Sequence, residues 1–136
     1  MSAALVRDAM VPEPITLDAS ASAQEAGVRL SPPDVRAVLV CDDGALVGVV
    51  TRKTLVREVV AAGLDPRSTT LREIAEPPLF TLDAGMSLDD AFQTLEDRDL
   101  ERVPVVDDGK LVGVLSRSVV QRRLAEDEPP PDDGDL

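Results

Sequence analysis

The sequence predicts an α+β protein built from two pseudo-symmetric β-α-β-β-α repeats, packed sheet to sheet with their helices outside. Three observations lead there. An eleven-residue stretch, Asp42-Asp43-Gly44-Ala45-Leu46-Val47-Gly48-Val49-Val50-Thr51-Arg52, returns 65 residues later as Asp107-Asp108-Gly109-Lys110-Leu111-Val112-Gly113-Val114-Leu115-Ser116-Arg117, with three differences. Without any gap, Val6 to Arg57 aligns on Leu71 to Arg122 with about 21 of 52 positions identical, which marks a duplication. Each copy alternates short β-branched runs with amphipathic stripes but holds too few elements to bury both helix and sheet faces alone, so the halves must pack on each other. The expected division is repeat 1 with its lead-in over 1–64, a linker over 65–69, repeat 2 over 70–124 and an acidic, Pro-rich disordered tail over 125–136.

Taken in order, the chain opens on a short helix-compatible piece from Ser2 to Met10 that stops against Pro12 and Pro14; its counterpart is Thr70 to Ala75, before Pro77-Pro78. Extended segments follow at Ile15 to Asp18 and Phe80 to Asp83. Ser22-x-x-Glu25 and Ser87-x-x-Asp90 then have the spacing of a capping box. Behind those caps Ala23, Ala26, Gly27 and Leu30, and in register Leu88, Ala91, Phe92 and Leu95, place apolar residues on one helical face. The first of these helices ends at Pro32-Pro33, and the second continues toward Asp97. Val38 to Cys41 and Val103 to Val106 read as strands, with Pro104 suited to an edge or first position because it lacks an N–H. Asp-Asp-Gly supplies the positive φ of a hairpin turn, and a Gly inside the following strand (Gly48, Gly113) indicates a close backbone approach. After Thr51, Leu55, Val56, Val59 and Val60 form a stripe on a helix ending near Gly63; Val119, Val120 and Leu124 form the second.

Composition narrows the function. The 136 residues carry 26 acids and 14 bases, a net charge of −12, so duplex nucleic acid and anionic membrane are poor partners. Aromatic content is 1%, with Phe80 and Phe92 the only rings, which removes the stacking platforms of single-strand binders. There is no His, hence no imidazole acid–base chemistry and no His-ligated metal. The single Cys41 sits in an apolar run and reads as a small buried hydrophobe. No signal-like N-terminal stretch and no long apolar run occurs, so a soluble, cytoplasmic, non-enzymatic protein is expected. The tail from Ala125 holds six acids and no base.

Thr51 and Ser116 stand where a strand ends and a helix begins, the N-cap position for a side-chain oxygen. With Arg52 and Arg117 beside them, the unpaired N–H groups of the first helical turn form an anion cradle; the same residues also describe an ordinary capped helix.

The turn, the Gly-hydrophobic-x-Ser/Thr pattern at Gly48 to Thr51 and Gly113 to Ser116, the Arg102-Val103-Pro104-Val105 strand and the duplication together resemble the cystathionine β-synthase (CBS) domain pair, or Bateman module. The resemblance covers Val6 to Leu124. It implies a sensor of adenosine nucleotides or S-adenosylmethionine, with up to two clefts between the repeats, no required cofactor, and a flat dimer made by paired helices. It places the ligand-contacting hydroxyls on Thr51 and Ser116, a phosphate-contacting base on Arg102 with Arg36 beside the matching Ala37, and adenine against Pro14, Ile15, Leu79 and Phe80. The family pattern continues Ser/Thr-x-x-Asp, the Asp accepting from ribose hydroxyls; Thr54 and Val119 stand there instead. Two functions therefore stay open, an adenosine-nucleotide sensor and a ligand-free structural dimerisation module.

Overall fold

The computed structural model describes residues 4–12, 14–78 and 80–127. Leu79, one of the expected adenine contacts, lies outside the described residues, as does the tail from Glu128 to Leu136; Ala125 and Glu126 belong to the last helix.

The lead-in contributes α1 (Val6–Ala9) and β1 (Val11–Pro12). Repeat 1 continues with β2 (Thr16–Asp18), α2 (Ala23–Arg29), β3 (Val38–Asp42), β4 (Ala45–Val50) and α3 (Arg52–Leu55), which widens into a π-helical turn over Val56–Val60. Repeat 2 contributes α4 (Leu71–Ile74), β5 (Leu82–Asp83), α5 (Leu88–Arg98), β6 (Arg102–Asp107), β7 (Lys110–Ser116) and α6 (Arg117–Asp127). The strands follow the order β2-β3-β4-β7-β6-β5, and the two halves of this path meet through one pair, Ala45 with Lys110.

Within each repeat the local chemistry explains the elements. Both hairpins turn on two consecutive residues of positive φ, Asp43 (53°) and Gly44 (84°), then Asp108 (52°) and Gly109 (79°), the geometry that keeps strand twist continuous across a two-residue loop. Ser22 and Ser87 each accept from the backbone N–H three residues on, at 3.2 Å, but neither Glu25 nor Asp90 reaches back, so each box is half formed. Pro104 occupies the position of Leu39. Leu39 donates its N–H to the Ile15 carbonyl at 3.0 Å, a bond Pro104 cannot make, and β5 is correspondingly one residue shorter than β2.

Each lead-in crosses to the other repeat. Val6 and Arg7 donate to Met86 and Ala84 at 2.8 and 3.1 Å, and their counterparts Leu71 and Arg72 donate to Ala21 and Ala19, both at 2.9 Å. Two cores result. Val6 and Ala9 are buried with Leu82, Leu88, Ala91, Leu95, Val103, Val105, Leu115 and Val120. Leu71 and Ile74 are buried with Ala23, Ala26, Leu30, Val38, Val40, Val50 and Val59. The 65–69 segment completes the exchange: the carbonyls of Thr69 and Pro66 accept from Ala23 and Gln24 at the start of α2, satisfying N–H groups that a helix cannot pair internally.

The strand glycines mark where the crossing chains touch. β1 pairs with β7 at Val11 with Val114 and Pro12 with Gly113, and Glu76 exchanges both backbone bonds with Val49, at 2.7 and 3.0 Å. A Cβ on Gly48 would stand 2.6 Å from the Ala75 Cβ and 3.0 Å from the Glu76 carbonyl oxygen; on Gly113 it would stand 2.8 Å from the Val11 carbonyl oxygen. A methyl group at either position pushes backbone from backbone. Gly48→Ala and Gly113→Ala are therefore each expected to destabilise the protein by about 2 kcal/mol in urea unfolding. Gly27→Ala, whose Cβ would meet nothing closer than 3.8 Å on a helix, is expected to be neutral or stabilising. Equal effects from all three would show that the crossing contacts are not close-packed.

Candidate functional site

Between the two repeats lies a cleft of about 560 Å³, within the range of small-molecule sites. Its wall is shared by both repeats in matching pairs: Ile15 with Phe80, Val35 with Leu100, Leu39 with Pro104, Val49 with Val114, and Thr51 with Ser116. The crossing residues Val11 and Glu76 also line it, each standing where the other would under the 65-residue shift. The strands bring these residues together because β4 and β7 end at the cleft, each delivering its cap hydroxyl to the rim.

Of the residues expected from sequence, Pro14, Ile15, Arg36, Thr51, Phe80, Arg102 and Ser116 line this one cleft. Two separate clefts were allowed; among the described residues the two cap hydroxyls share a single cavity. Arg36 and Arg102 are exposed at its edge, and among the described residues neither forms an ion pair. With Asp34 and Glu76 also in the wall, the lining is charge-balanced within a chain of charge −12, and the two guanidinium groups are its free cations among the described residues. Arg98 lies over the Phe80 ring, 4.5 Å from its centroid, and holds the ring in place.

Arg52, Thr54, Arg117 and Val119 do not line the cleft, for identifiable reasons. The Arg52 guanidinium turns away to donate to the carbonyls of Leu30 and Pro32, the latter at 2.7 Å, tying α3 to the end of α2. Arg117 does the same for repeat 2: it donates to Asp99 at 3.3 Å and to the Glu101 carboxylate, with Glu96 3.7 Å away. Both arginines are thus structural ties rather than parts of an anion cradle. Thr54 is buried, and its hydroxyl accepts the Thr51 N–H at 3.0 Å, while Thr51 Oγ1 accepts the Thr54 N–H at 3.3 Å. This closed reciprocal cap takes up the Thr54 hydroxyl. Val119 donates its backbone N–H to Ser116 Oγ at 3.4 Å, and Ser116 Oγ also meets Ser118 Oγ at 2.9 Å.

Sequence reasoning did not place in the cleft wall the strand residues Leu39, Val49, Val103, Pro104 and Val114, Ala37, the pair Pro77-Pro78, or Val11, Asp34, Val35, Glu76 and Leu100. The repeat offset links Val35 to Leu100 and Val11 to Glu76, so applying it outward from Ile15 and Phe80 would have pointed to these pairs. Glu76 is an acid of the wall, and its carboxylate is ion-paired with Arg57 on the π-helical turn. Cys41, expected to be buried, is half-buried; burial and the nearby Asp18 charge push its thiol pKa up.

Duplicated sheets, crossed lead-ins and an inter-repeat cleft define a CBS domain pair, and the chain belongs to that family: the CBS domain model matches residues 6–61 and again 71–126. Among particular relatives, Hypoxic response protein 1 of Mycobacterium tuberculosis is 34% identical over 94 residues, covering 68% of this chain and 66% of that protein's length. A crystal structure of Hypoxic Response Protein I with two coordinated zinc ions superposes with a TM-score of 0.74 at 28% identity, over 88% of this chain and 98% of that one. CBSX2 in complex with AMP superposes at 0.70 with 29% identity, over 90% and 97%. The cytosolic domain of the Mg2+ channel MgtE in complex with ATP superposes at 0.69 with 25% identity, over 90% of this chain and 49% of that one. The zinc of the first does not fit the residues here, since the chain has no His and one Cys, and the described residues contain no group of three metal-ligating side chains. No helix among the described residues is long and apolar enough to cross a membrane.

The Thr51–Thr54 cap supplies a direct test of this geometry. Thr54→Val removes the acceptor for the Thr51 N–H, and is expected to lower stability by about 1 kcal/mol in chemical denaturation. An unchanged midpoint would show that the reciprocal cap does not form.

Proposed function

We propose that this chain is a regulatory module that senses an adenosine nucleotide, of the AMP, ADP, ATP or S-adenosylmethionine class, in the cleft between its repeats, and that it works as a homodimer. The observation that carries this reading is the cleft itself: a mostly apolar wall shared by both repeats, with two guanidinium groups at its mouth and a cap hydroxyl from each repeat. Adenine fits between Ile15, Phe80 and the flanking Pro14 and Pro104. Phosphates fit Arg36 and Arg102, where charge-assisted bonds are the stronger contacts available. AMP in CBSX2 and ATP in MgtE support the ligand class. The absence of His from the chain favours sensing over catalysis.

A second reading, a structural dimerisation module with no ligand, is favoured by one observation. The two positions where the family pattern has a ribose-binding Asp hold Thr54, whose hydroxyl is used in the cap, and Val119, which has no acceptor in its side chain. Asp34 is the carboxylate left in the wall without an ion-pair partner among the described residues.

Calorimetry on the wild type, Thr51→Ala and Arg102→Ala separates the two. The sensor reading expects Arg102→Ala to weaken ATP roughly tenfold or more, the equivalent of one charge-assisted hydrogen bond, and to change adenosine little. Thr51→Ala is expected to weaken adenosine and AMP alike. If no adenosine compound binds below millimolar concentration, the sensor reading fails and the structural module takes its place.

A further inference from the structure

The two helical faces, identical in origin, are opposite in character. In repeat 1, Val28 is 65% exposed, Val56 59%, Val60 72% and Leu64 47%. Their surfaces belong together because α2 and α3 lie side by side: a Cβ on Gly27, next to Val28, would meet the tip of Leu55, next to Val56, at 3.8 Å. The π-helical turn sets this presentation. Ala61 donates to Val56 and Leu64 to Val59, each five residues back, at 2.8 and 2.9 Å. Within this widened turn Val59 is buried against the core, while Val56 and Val60 on either side of it face solvent.

In repeat 2 the matching positions are Gln93, Gln121 and Ala125. The stripe of Val119, Val120 and Leu124, expected to need a partner, is covered within the chain instead: Val120 is fully buried, Leu124 packs on the core and Val119 is half-buried. One turn to either side of Gln93 stand Asp89, Asp90, Glu96 and Asp97, and its own amide donates to Asp97 at 3.1 Å. With Arg122 and Arg123 on α6, this face is polar and charged and offers no large apolar side chain at the positions matching Val28, Val56 and Val60.

We propose that two copies of this chain associate through repeat 1 alone, with the two-fold axis passing through the Val56–Val60 turn and the repeat 2 helices left facing solvent. The proposal rests on the homodimer reading above and adds its orientation. Charge selects the occupant. The repeat 1 patch is rimmed by Arg29, Lys53 and Arg57 with Glu25 and Glu58, a near-balanced set in a chain of charge −12, so two such faces meet without like-charge excess. Repeat 2 against repeat 2 would bring together Gln93, Gln121 and Ala125, set among the acids of α5 and Arg122 and Arg123 of α6, and so would bury charged and polar groups with no large apolar side chain to offset them. Repeat 1 against repeat 2 would press valines onto glutamines and carboxylates, leaving polar groups desolvated. A two-fold contact of the apolar patch with itself needs neither. None of Val28, Val56, Val60 and Leu64 lines the cleft, and the Arg57–Glu76 ion pair is the link between the patch and the cleft wall.

The experiment uses the full chain in light scattering and in oxidative cross-linking on a Cys41→Ser background. Val56→Glu with Val60→Glu is expected to convert the dimer to monomer, weakening association at least tenfold with unchanged circular dichroism. Gln121→Glu with Ala125→Glu is expected to leave the dimer intact. Val60→Cys alone is expected to form a covalent dimer, whereas Ala125→Cys, alone or mixed with Val60→Cys, forms none. A cross-link between Val60→Cys and Ala125→Cys copies, or a dimer that survives the paired Val56 and Val60 substitutions, overturns the orientation and leaves the homodimer reading standing. A wild type that is monomeric at hundreds of micromolar overturns both.

Discussion

Everything in this molecule depends on two backbones touching where a side chain would keep them apart. Gly48 and Gly113 let the segments at Glu76 and Val11 lie directly on the opposing repeat's hairpin, and those two segments contribute to the wall of the cleft. The same crossings carry α1 and α4 into the other repeat's core, so neither core closes without residues from both halves. Fold stability and site geometry are therefore one constraint. A larger residue at either glycine would lift the lead-in, open a core and shift the wall of the cleft together.

The fold was legible because its information is local and stated twice. Turn residues with positive φ, capped helix starts and apolar stripes recur at one offset, and each recurrence supports the other. The strand glycines even indicated that something would press on β4 and β7. What they could not show was which segment did so, because the crossing is a tertiary choice with no mark in the chain except the glycine itself. The π-helical turn was illegible for a similar reason: Leu55, Val56, Val59 and Val60 fit an α-helical stripe, and only the hydrogen bonds of Ala61 and Leu64 shift the register.

The site was legible by half. Residues at strand ends and loops, Pro14, Ile15, Arg36, Thr51, Phe80, Arg102 and Ser116, converge on one cavity. The helix-start arginines do not. An Arg beside a cap can face a ligand or its own fold, and here the carbonyls at the end of α2 draw Arg52 away and the carboxylates of Asp99 and Glu101 draw Arg117. Thr54 follows the same logic, because a short hydroxyl three residues after a cap bonds the cap before it reaches a ligand. The cleft thus keeps an apolar wall with two arginines at its edge, while Thr54 and Val119 stay outside it.

The central claim is that one cleft, shared equally by both repeats, receives an adenosine nucleotide. Methyl-labelled protein titrated with ATP and followed by NMR tests it most directly. The account predicts that Ile15, Val35, Leu39 and Val49 of repeat 1 and Leu100, Val103 and Val114 of repeat 2 shift together along one binding curve, while Val28 and Val47, outside the cleft, stay still. Shifts confined to one repeat, or none up to millimolar ATP, would contradict it.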